Sequence, residues 1–337
     1  MRSEHVHNAS LATGSAVMKG RLDNGRGSFA QLFWLAALLL CAWIASNATH
    51  AATPAQRVFA TPDEAAAALV DAVKAHDKNA VVGVLGPGTE QWVWSGDNVA
   101  DRAAGERFLK AYDQKHGIEM AGQDRATLTI GNDDWPFAFP IVKAEGGWRF
   151  ATEQGKDEVL ARRIGANEIA TINVLLAIVD AEHDYASQDH DKDGIREYAA
   201  KFASSPGKKD GLYWPTKAGE PESPLGPLVT QAAGEGYKGK GKGGGHVPYH
   251  GYYFRILKSQ GAHAKGGALD YVVRGHMIGG FAVAAYPASY GNSGVMTFMV
   301  NHDGVVYQKD LGPQTPTRAA AIKSFDPGEG WTAVPNP

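Results

Sequence analysis

The chain has 337 residues, of which 44% are hydrophobic, and it carries 33 Lys and Arg against 36 Asp and Glu. This near-neutral charge argues against a nucleic-acid partner, and the length favours two domains over one. The 41 glycines favour turn-rich β structure over a helical bundle.

The N-terminal region has the pattern of a secretory signal peptide. The apolar run 29–45 follows a basic segment and ends in small residues near position 51. We predict that residues 1–51 are the signal peptide, with Met18 as the start of a signal of ordinary length. An uncleaved anchor is the alternative. The single cysteine, Cys41, falls inside the run, so cleavage would leave a chain without disulfides that is periplasmic or secreted, with no stable membrane insertion.

Residues 52–156 have the pattern of an α+β domain. In "ATPDEAAAALVDAVKAHD", Thr61 can cap a helix that has Pro62 in its first turn. A second helical segment precedes short alternating runs, which are broken by hairpin signals at 132–134 and 145–147. Helices followed by a meander that ends in "GGWRF" resemble the cone-shaped α+β domains of the NTF2-like class.

Residues 157–188 predict one long helix. Apolar residues recur in it at three to five positions, and the predicted stripe contains Ile164, Ile169, Ile172, Leu176, Val179, His183 and Ala186. Arg162 and Arg163 lie on the opposite face of this helix. Their side chains are either solvated or part of an ion pair between the domains.

Residues 189–337 predict a domain with an antiparallel sheet. Its strand segments include "GYYFRIL", "GFAVAAY" and "VMTFMVNHDGVVYQKDL", with Asp303-Gly304 as a hairpin turn. A long helix on such a meander resembles the globular head of pilins and pseudopilins. Because a whole domain precedes this helix, we expect a pilin-like head without pilus assembly.

Longer stretches resemble one exported bacterial family, catalogued as domain of unknown function 2950 (DUF2950). They span nearly the whole mature chain and include "RRIGANE", "DYASQDHDKDGIREYA", "PYHGYYFRILKSQG" and "MIGGFAVAAYPASYGNSGVMTFMVNHDGVVYQKDLG". The family has no assigned reaction, so the resemblance implies export and domain boundaries but no catalytic residues.

The segment "DHDKDG" has the beginning of a calcium loop. Asp189, Asp191 and Asp193 occupy the first, third and fifth positions and Gly194 the sixth, but Ala200 stands where a bidentate glutamate belongs. Three close carboxylates repel one another unless a cation or solvent neutralises them. A structural calcium site at Asp189, Asp191 and Asp193, completed by Glu197 or by a distant carboxylate such as Asp210, is one of two interpretations of this segment. A solvated turn that ends the helix is the alternative.

A candidate ligand-binding surface consists of Tyr213, Trp214, Tyr249, His250 and Tyr252, because aromatic side chains combine apolar faces with polar edges. Core packing is the alternative. The Gly/Lys-rich loop 234–248 contains Lys238, Lys240 and Lys242 and is either a solvated linker or a lid over an anionic ligand.

The C-terminal half contains residues for two candidate reactive sites. A transition-metal site could draw on the histidines of the C-terminal half, His246, His250, His263, His276 and His302. The segment "YGNSG" places Ser293 after His250 and Asp270 in the chain order of a serine protease, although the spacing is too short for one.

The sequence therefore predicts an exported, two-domain α+β protein. Its predicted role is a non-enzymatic binding or scaffolding component of the cell envelope, stabilised by calcium, with an unknown envelope protein or polymer as its partner. The alternative is a hydrolase that acts on envelope polymers through a His and carboxylate constellation in the C-terminal domain.

Overall fold

The structure is a computed structural model that describes residues 55–237 and 247–335. The predicted signal peptide, Cys41, and positions 238–246 of the predicted Gly/Lys-rich loop lie outside the described residues. Residues Thr53–Pro337 form one compact unit, and this unit contains separate hydrophobic clusters. The predicted domain boundary near residue 156 stays a prediction.

The N-terminal part begins with helices α1 (Pro62–Lys74), α2 (Lys78–Leu85), α3 (Glu90–Val93) and α4 (Asn98–Gln114). The predicted start of α1 is confirmed, because Thr61 Oγ1 accepts the Glu64 amide at 3.1 Å. Asp77 and Asp97 cap α2 and α4 in the same way, each through two amide hydrogen bonds.

An antiparallel sheet follows these helices. Its strands are β1 (His116–Met120), β2 (Arg125–Ile130), β3 (Trp135–Pro136), β4 (Ile141–Ala144) and β5 (Gly147–Phe150). The order is β1-β2-β4-β5, with β3 paired to β2, and the predicted turn at 145–147 joins β4 to β5. Leu69 of α1, Val84 of α2, Ile141 and Phe150 meet in the core, so the helices cover one face of the sheet.

Helix α5 (Lys156–Ala186) has 31 residues and is about 46 Å long at about 1.5 Å per residue. Its predicted bounds are confirmed to within two residues. The predicted apolar stripe is wrong for Ile169, which is 63% exposed, and for His183, which is also exposed, whereas Ile172, Leu176 and Val179 pack in the C-terminal cluster. The buried residues begin only at Thr171 and comprise Thr171, Val174, Leu175, Ile178, Val179, Ala181, Glu182 and Tyr185.

The two halves of α5 pack on different clusters, which explains why one continuous stripe fails. Val159 and Leu160 contact the N-terminal cluster, whereas Val174 to Tyr185 belong to the C-terminal one. Within the described residues, α5 is long and apolar enough to cross a membrane by length and composition, with 33% of its apolar window buried.

The second sheet has five antiparallel strands in the order β14-β13-β12-β11-β6. They are β6 (Tyr252–Leu257), β11 (Ala282–Pro287), β12 (Met296–Asn301), β13 (Tyr307–Asp310) and β14 (Thr332–Ala333). Helix α5 packs on β12 and β11. The predicted mixed α+β fold, with a long helix and antiparallel sheets, is confirmed.

Smaller elements complete the fold. Strand β7 (Ser259–Gln260) pairs with β8 (Leu269–Asp270), and β9 (Val272–Val273) pairs with β10 (His276–Met277). Helix α6 (Gly226–Gly234) precedes the Gly/Lys-rich segment. Helix α7 (Thr315–Ala321) lies against β11, and Arg255 Nη2 donates to the carbonyls of Ala319 and Ile322 at its C-terminus.

Candidate functional site

The acidic loop after α5 brings three carboxylates together. One oxygen of each of Asp189, Asp191 and Asp193 lies within 4.8 Å of the others. The loop turns sharply because Lys192 and Gly194 adopt left-handed φ angles of 65° and 92°. Asp189 accepts the amides of Lys192 at 2.7 Å and Gly194 at 2.9 Å, and the Gly194 bond is the main cause that lowers the pKa of Asp189.

The predicted fourth ligands are engaged elsewhere. Glu197 Oε2 accepts the Met277 amide of β10 at 2.9 Å and lies 3.3 Å from His276 Nδ1. Asp210 pairs with Lys201 at 2.7 Å. Partial burial opposes the ionisation of Asp210, but its bonds to Lys201 and Ser205 lower its pKa to about 2. The group that the structure assembles is therefore the aspartate triad alone.

Four exposed apolar side chains lie directly after this loop or in or beside the strands β8 to β10, the last of which is bonded to the segment after the loop. Leu269 in β8, Val273 in β9 and Ile278 after β10 are 47%, 43% and 46% exposed, and Ile195 follows the loop directly with 37% exposed. The two segments are joined by hydrogen bonds, because Met277 pairs with both Glu197 and Tyr198. We call Ile195, Leu269, Val273 and Ile278 the apolar patch.

The predicted aromatic surface is wrong for two of its members. Tyr252 is fully buried and its hydroxyl donates to the Met296 carbonyl at 2.9 Å, while Trp214 is 9% exposed and packs edge-on against His190. Tyr213 and Tyr249 are half-buried and pack on the same core. Core packing explains these residues, and no single exposed aromatic platform results.

The predicted His, Asp and Ser arrangement is not assembled. Ser293 is fully buried, and its Oγ donates to the Ser289 carbonyl and accepts the Ser289 amide. Asp270 is exposed on β8 and accepts the Val272 amide, whereas His250 Nε2 faces Glu235. A serine nucleophile held in this way has no access to substrate.

The other histidines serve separate contacts. His263 Nδ1 lies 3.0 Å from Asp326, and His276 Nδ1 faces Asp193 and Glu197. His302 Nδ1 is buried and has no hydrogen-bond partner in the described part of the chain, and His246 lies outside that part. Among residues 55–237 and 247–335, only the aspartate triad forms a group of potential metal ligands.

A buried carboxylate that the sequence did not single out, Asp97, joins the two halves of the fold. Its side chain is 1% exposed, and beyond capping α4 its Oδ2 accepts the Tyr237 hydroxyl at 2.8 Å and the Gly251 amide at 3.1 Å. The pattern Ser-Gly-Asp-Asn before a helix indicates the cap, but nothing in it indicates partners 140 and 154 residues away.

His250 is held beside this carboxylate. Its φ is 48°, which is uncommon for a residue other than glycine, and its amide donates to Tyr237 Oη at 3.3 Å. Its Nε2 lies 3.3 Å from Glu235 Oε2, and both side chains are about one-third exposed or less. Burial, followed by the charge of Glu235, raises the pKa of Tyr249 to about 12. We call Asp97, Glu235, Tyr237, Tyr249 and His250 the Asp97 cluster.

Arg163 forms a second junction, which corrects its predicted place on a solvated face. Its guanidinium donates to the carbonyls of Trp92 and Val93 at 2.7 Å and to the side-chain oxygen of Asn292. Burial lowers its pKa, with the charge of Asp101 acting in the opposite direction. In the described ranges the guanidinium pairs with no carboxylate, so hydrogen bonds take the place of the predicted interdomain ion pair. Arg162 does lie on the surface, paired with Glu158.

Comparison with known proteins agrees with the resemblance seen in the sequence. A protein-family model described as "Protein of unknown function (DUF2950)" matches residues 56–334, which is most of the chain. A search of the curated proteins and a search of the solved structures found no match. The chain therefore belongs to the DUF2950 family.

Proposed function

We propose that this chain is an exported, non-enzymatic binding or scaffolding component of the cell envelope that uses the apolar patch to hold an envelope protein or polymer. The observation that carries the proposal is that four branched apolar side chains, Ile195 directly after the acidic loop and Leu269, Val273 and Ile278 in or beside β8 to β10, are each more than one-third exposed. Strand β10 is hydrogen-bonded to the segment after the loop. Grouped apolar exposure of this kind is a feature of interaction sites, whereas single exposed residues are ordinary.

Calcium is the proposed stabilising ion. Three carboxylates within 4.8 Å repel one another, and a hard cation that prefers oxygen ligands offsets this repulsion. With Glu197 and Asp210 engaged elsewhere, water would complete the coordination shell. Such an ion would fix the loop from which Ile195 projects, so its role would be structural.

The finer fold assignments are part of the same proposal. Four helices that cover one face of an antiparallel sheet support an NTF2-like N-terminal domain. The packing of α5 on β11 and β12 supports a pilin-like head in the C-terminal part. Both assignments rest on the order and packing of the elements.

Thermal unfolding tests the calcium site. The mature chain, starting at Ala52, is unfolded in EDTA and in a calcium series, beside an Asp191→Ala, Asp193→Ala variant. A site on the native state contributes about 2.7 kcal/mol at a hundredfold excess over Kd. We expect a rise in Tm that this variant loses and that an Asp180→Ala, Asp184→Ala control keeps, because the control removes equal charge from exposed positions on α5. Identical curves with and without calcium would contradict the site.

Co-sedimentation with an isolated envelope fraction tests the binding surface. Val273→Asp and Ile278→Asp place charge in the apolar patch and should reduce the sedimenting fraction. Met120→Asp is the matched control, because Met120 is 52% exposed on β1 in the N-terminal part. If all three variants sediment like the wild type, the patch is not the binding surface.

The Asp97 cluster favours a hydrolase as the second candidate function. A carboxylate orients one nitrogen of His250, and a left-handed backbone fixes its position, which is an arrangement suited to general acid–base catalysis. Such a base contributes roughly 10²–10⁴-fold to a rate. Loss of hydrolysis of isolated envelope polymers in His250→Gln, but not in a His263→Gln control, would support it. A wild type without activity on these polymers would reject it.

A further inference from the structure

The least expected residue of the C-terminal core is Glu182. It lies on the buried face of α5, between Val179 and Tyr185, and its side chain has no exposed surface. Its Oε2 accepts the Ala199 amide at 2.8 Å, while its Oε1 is buried without a hydrogen-bond partner among the described residues. A carboxylate in such a place has lost its hydration and gained one hydrogen bond, so the neutral acid is the favoured form.

Nearby charges do not compensate for this burial. The titratable groups on the elements around Glu182 are Asp180, His183, Asp184 and Tyr185 on α5, Arg196, Glu197, Tyr198 and Lys201 on the following segment, Lys209 and Asp210, His276 and His302. Three of the basic groups face other partners: Lys201 binds Asp210, Lys209 lies over Trp214, and His276 faces Asp193 and Glu197. His183 and Arg196 are exposed, and the His302 ring packs against Tyr271 and Phe281. Burial raises the pKa of Glu182 to about 8, and the Ala199 amide only partly opposes this rise.

The single hydrogen bond of Glu182 has a structural task. It ties α5 to the segment 195–199, whose other attachments lead to β10 through the Tyr198 amide and the Glu197 carboxylate. Because Ala199 is 1% exposed, the segment must move before water can reach the carboxyl group.

We propose that Glu182 is a proton-operated latch, which holds segment 195–199 against α5 in its neutral form and releases the segment when it ionises. Ionisation inside the closed core leaves a charge without solvent, whereas a displaced segment admits water to it. The closed state therefore holds the proton more tightly than the open state. This latch does not depend on calcium binding or on the proposed binding function.

The magnitude of the effect follows from linkage. In the open state the carboxyl group has its ordinary pKa of 4.5, and in the closed state its pKa is about 8. The closed state is favoured fully below pH 4.5, and its advantage declines as the pH rises towards 8. Between these limits the opening equilibrium should increase about tenfold per pH unit, and above pH 8 it should level off.

Hydrogen exchange measured by mass spectrometry tests the latch. The mature chain is labelled in EDTA from pH 5 to pH 9, and each rate is divided by the intrinsic chemical rate at that pH. We expect the opening of peptide 195–203 to rise about tenfold per pH unit up to pH 8 in the wild type. The peptide 282–301, which covers β11 and β12 of the same molecule, is the internal reference and should stay flat.

Glu182→Gln is the decisive variant, because glutamine still accepts the Ala199 amide but cannot ionise. We expect its 195–203 peptide to lose the pH dependence and to stay protected at pH 8. Glu182→Leu, which removes the acceptor, should leave the peptide open at every pH. A flat wild-type profile, or equal slopes in the wild type and Glu182→Gln, would overturn the latch. If a variant fails to fold, a wild-type 195–203 profile as flat as that of peptide 282–301 still overturns the latch.

Discussion

Asp97→Ala should be among the most destabilising single substitutions in the N-terminal part, although it lies at a helix start. The variant loses the cap of α4, which costs about 1 kcal/mol. It also leaves the Tyr237 hydroxyl and the Gly251 amide without the buried carboxylate that accepts them. Hydrogen bonds to a charged group contribute about 1.5–3 kcal/mol each, so we expect a total loss of about 4–7 kcal/mol.

Asp77→Ala is the matched control for this prediction. Asp77 caps α2 with the same two-amide geometry, at 2.9 and 3.0 Å, but it is exposed and makes no second set of bonds. Urea unfolding of both variants at 25 °C therefore separates the cap from the junction. We expect a loss of about 1 kcal/mol for Asp77→Ala. If Asp97→Ala costs no more than Asp77→Ala, the bonds to Tyr237 and Gly251 do not stabilise the fold.

Two further pairs of substitutions are compared by the same assay. A Cβ on Gly294 would lie 2.0 Å from the Tyr252 hydroxyl oxygen, so Gly294→Ala should destabilise the fold by about 1–3 kcal/mol. Gly165 has open space around it, so Gly165→Ala should stabilise α5 by roughly 0.5–1 kcal/mol. Arg163→Met keeps the aliphatic stem but leaves two carbonyls without their donor and should cost about 2–4 kcal/mol. Arg162→Met, at an exposed pair, should change stability by less than about 1 kcal/mol, and equal losses for Arg163→Met and Arg162→Met would refute the Arg163 junction.

Local signals predicted the local structure well. The Thr61 cap, the length of α5 and the turn between β4 and β5 each depend on residues a few positions apart, and each is confirmed. The apolar stripe of α5 was wrong at Ile169 and His183, because the two halves of the helix pack on separate clusters. Apolar periodicity predicts which face of a helix is buried, but it does not indicate how many hydrophobic clusters the helix packs on.

The residues of the candidate sites were harder to predict for a related reason. Glu182 reads in the sequence as an ordinary solvated glutamate, and only the path of segment 195–199 buries it. The acidic loop could be identified because its spacing is local, whereas the bond of Glu197 to the Met277 amide of β10, some 80 residues later, has no local signal. Trp214 and Tyr252 illustrate the same limit, since aromatic content alone does not separate a core from a surface.

Helix α5 also determines whether the two hydrophobic clusters unfold separately or together. The first half of α5 packs on the N-terminal cluster and the second half on the C-terminal one. If either cluster unfolds, about fifteen residues of α5 therefore lose the residues on which they pack. A free helix of that length is marginal in water. Unfolding of one cluster therefore destabilises the helix on which the other cluster packs. Heat or denaturant should then unfold both clusters in a single cooperative transition.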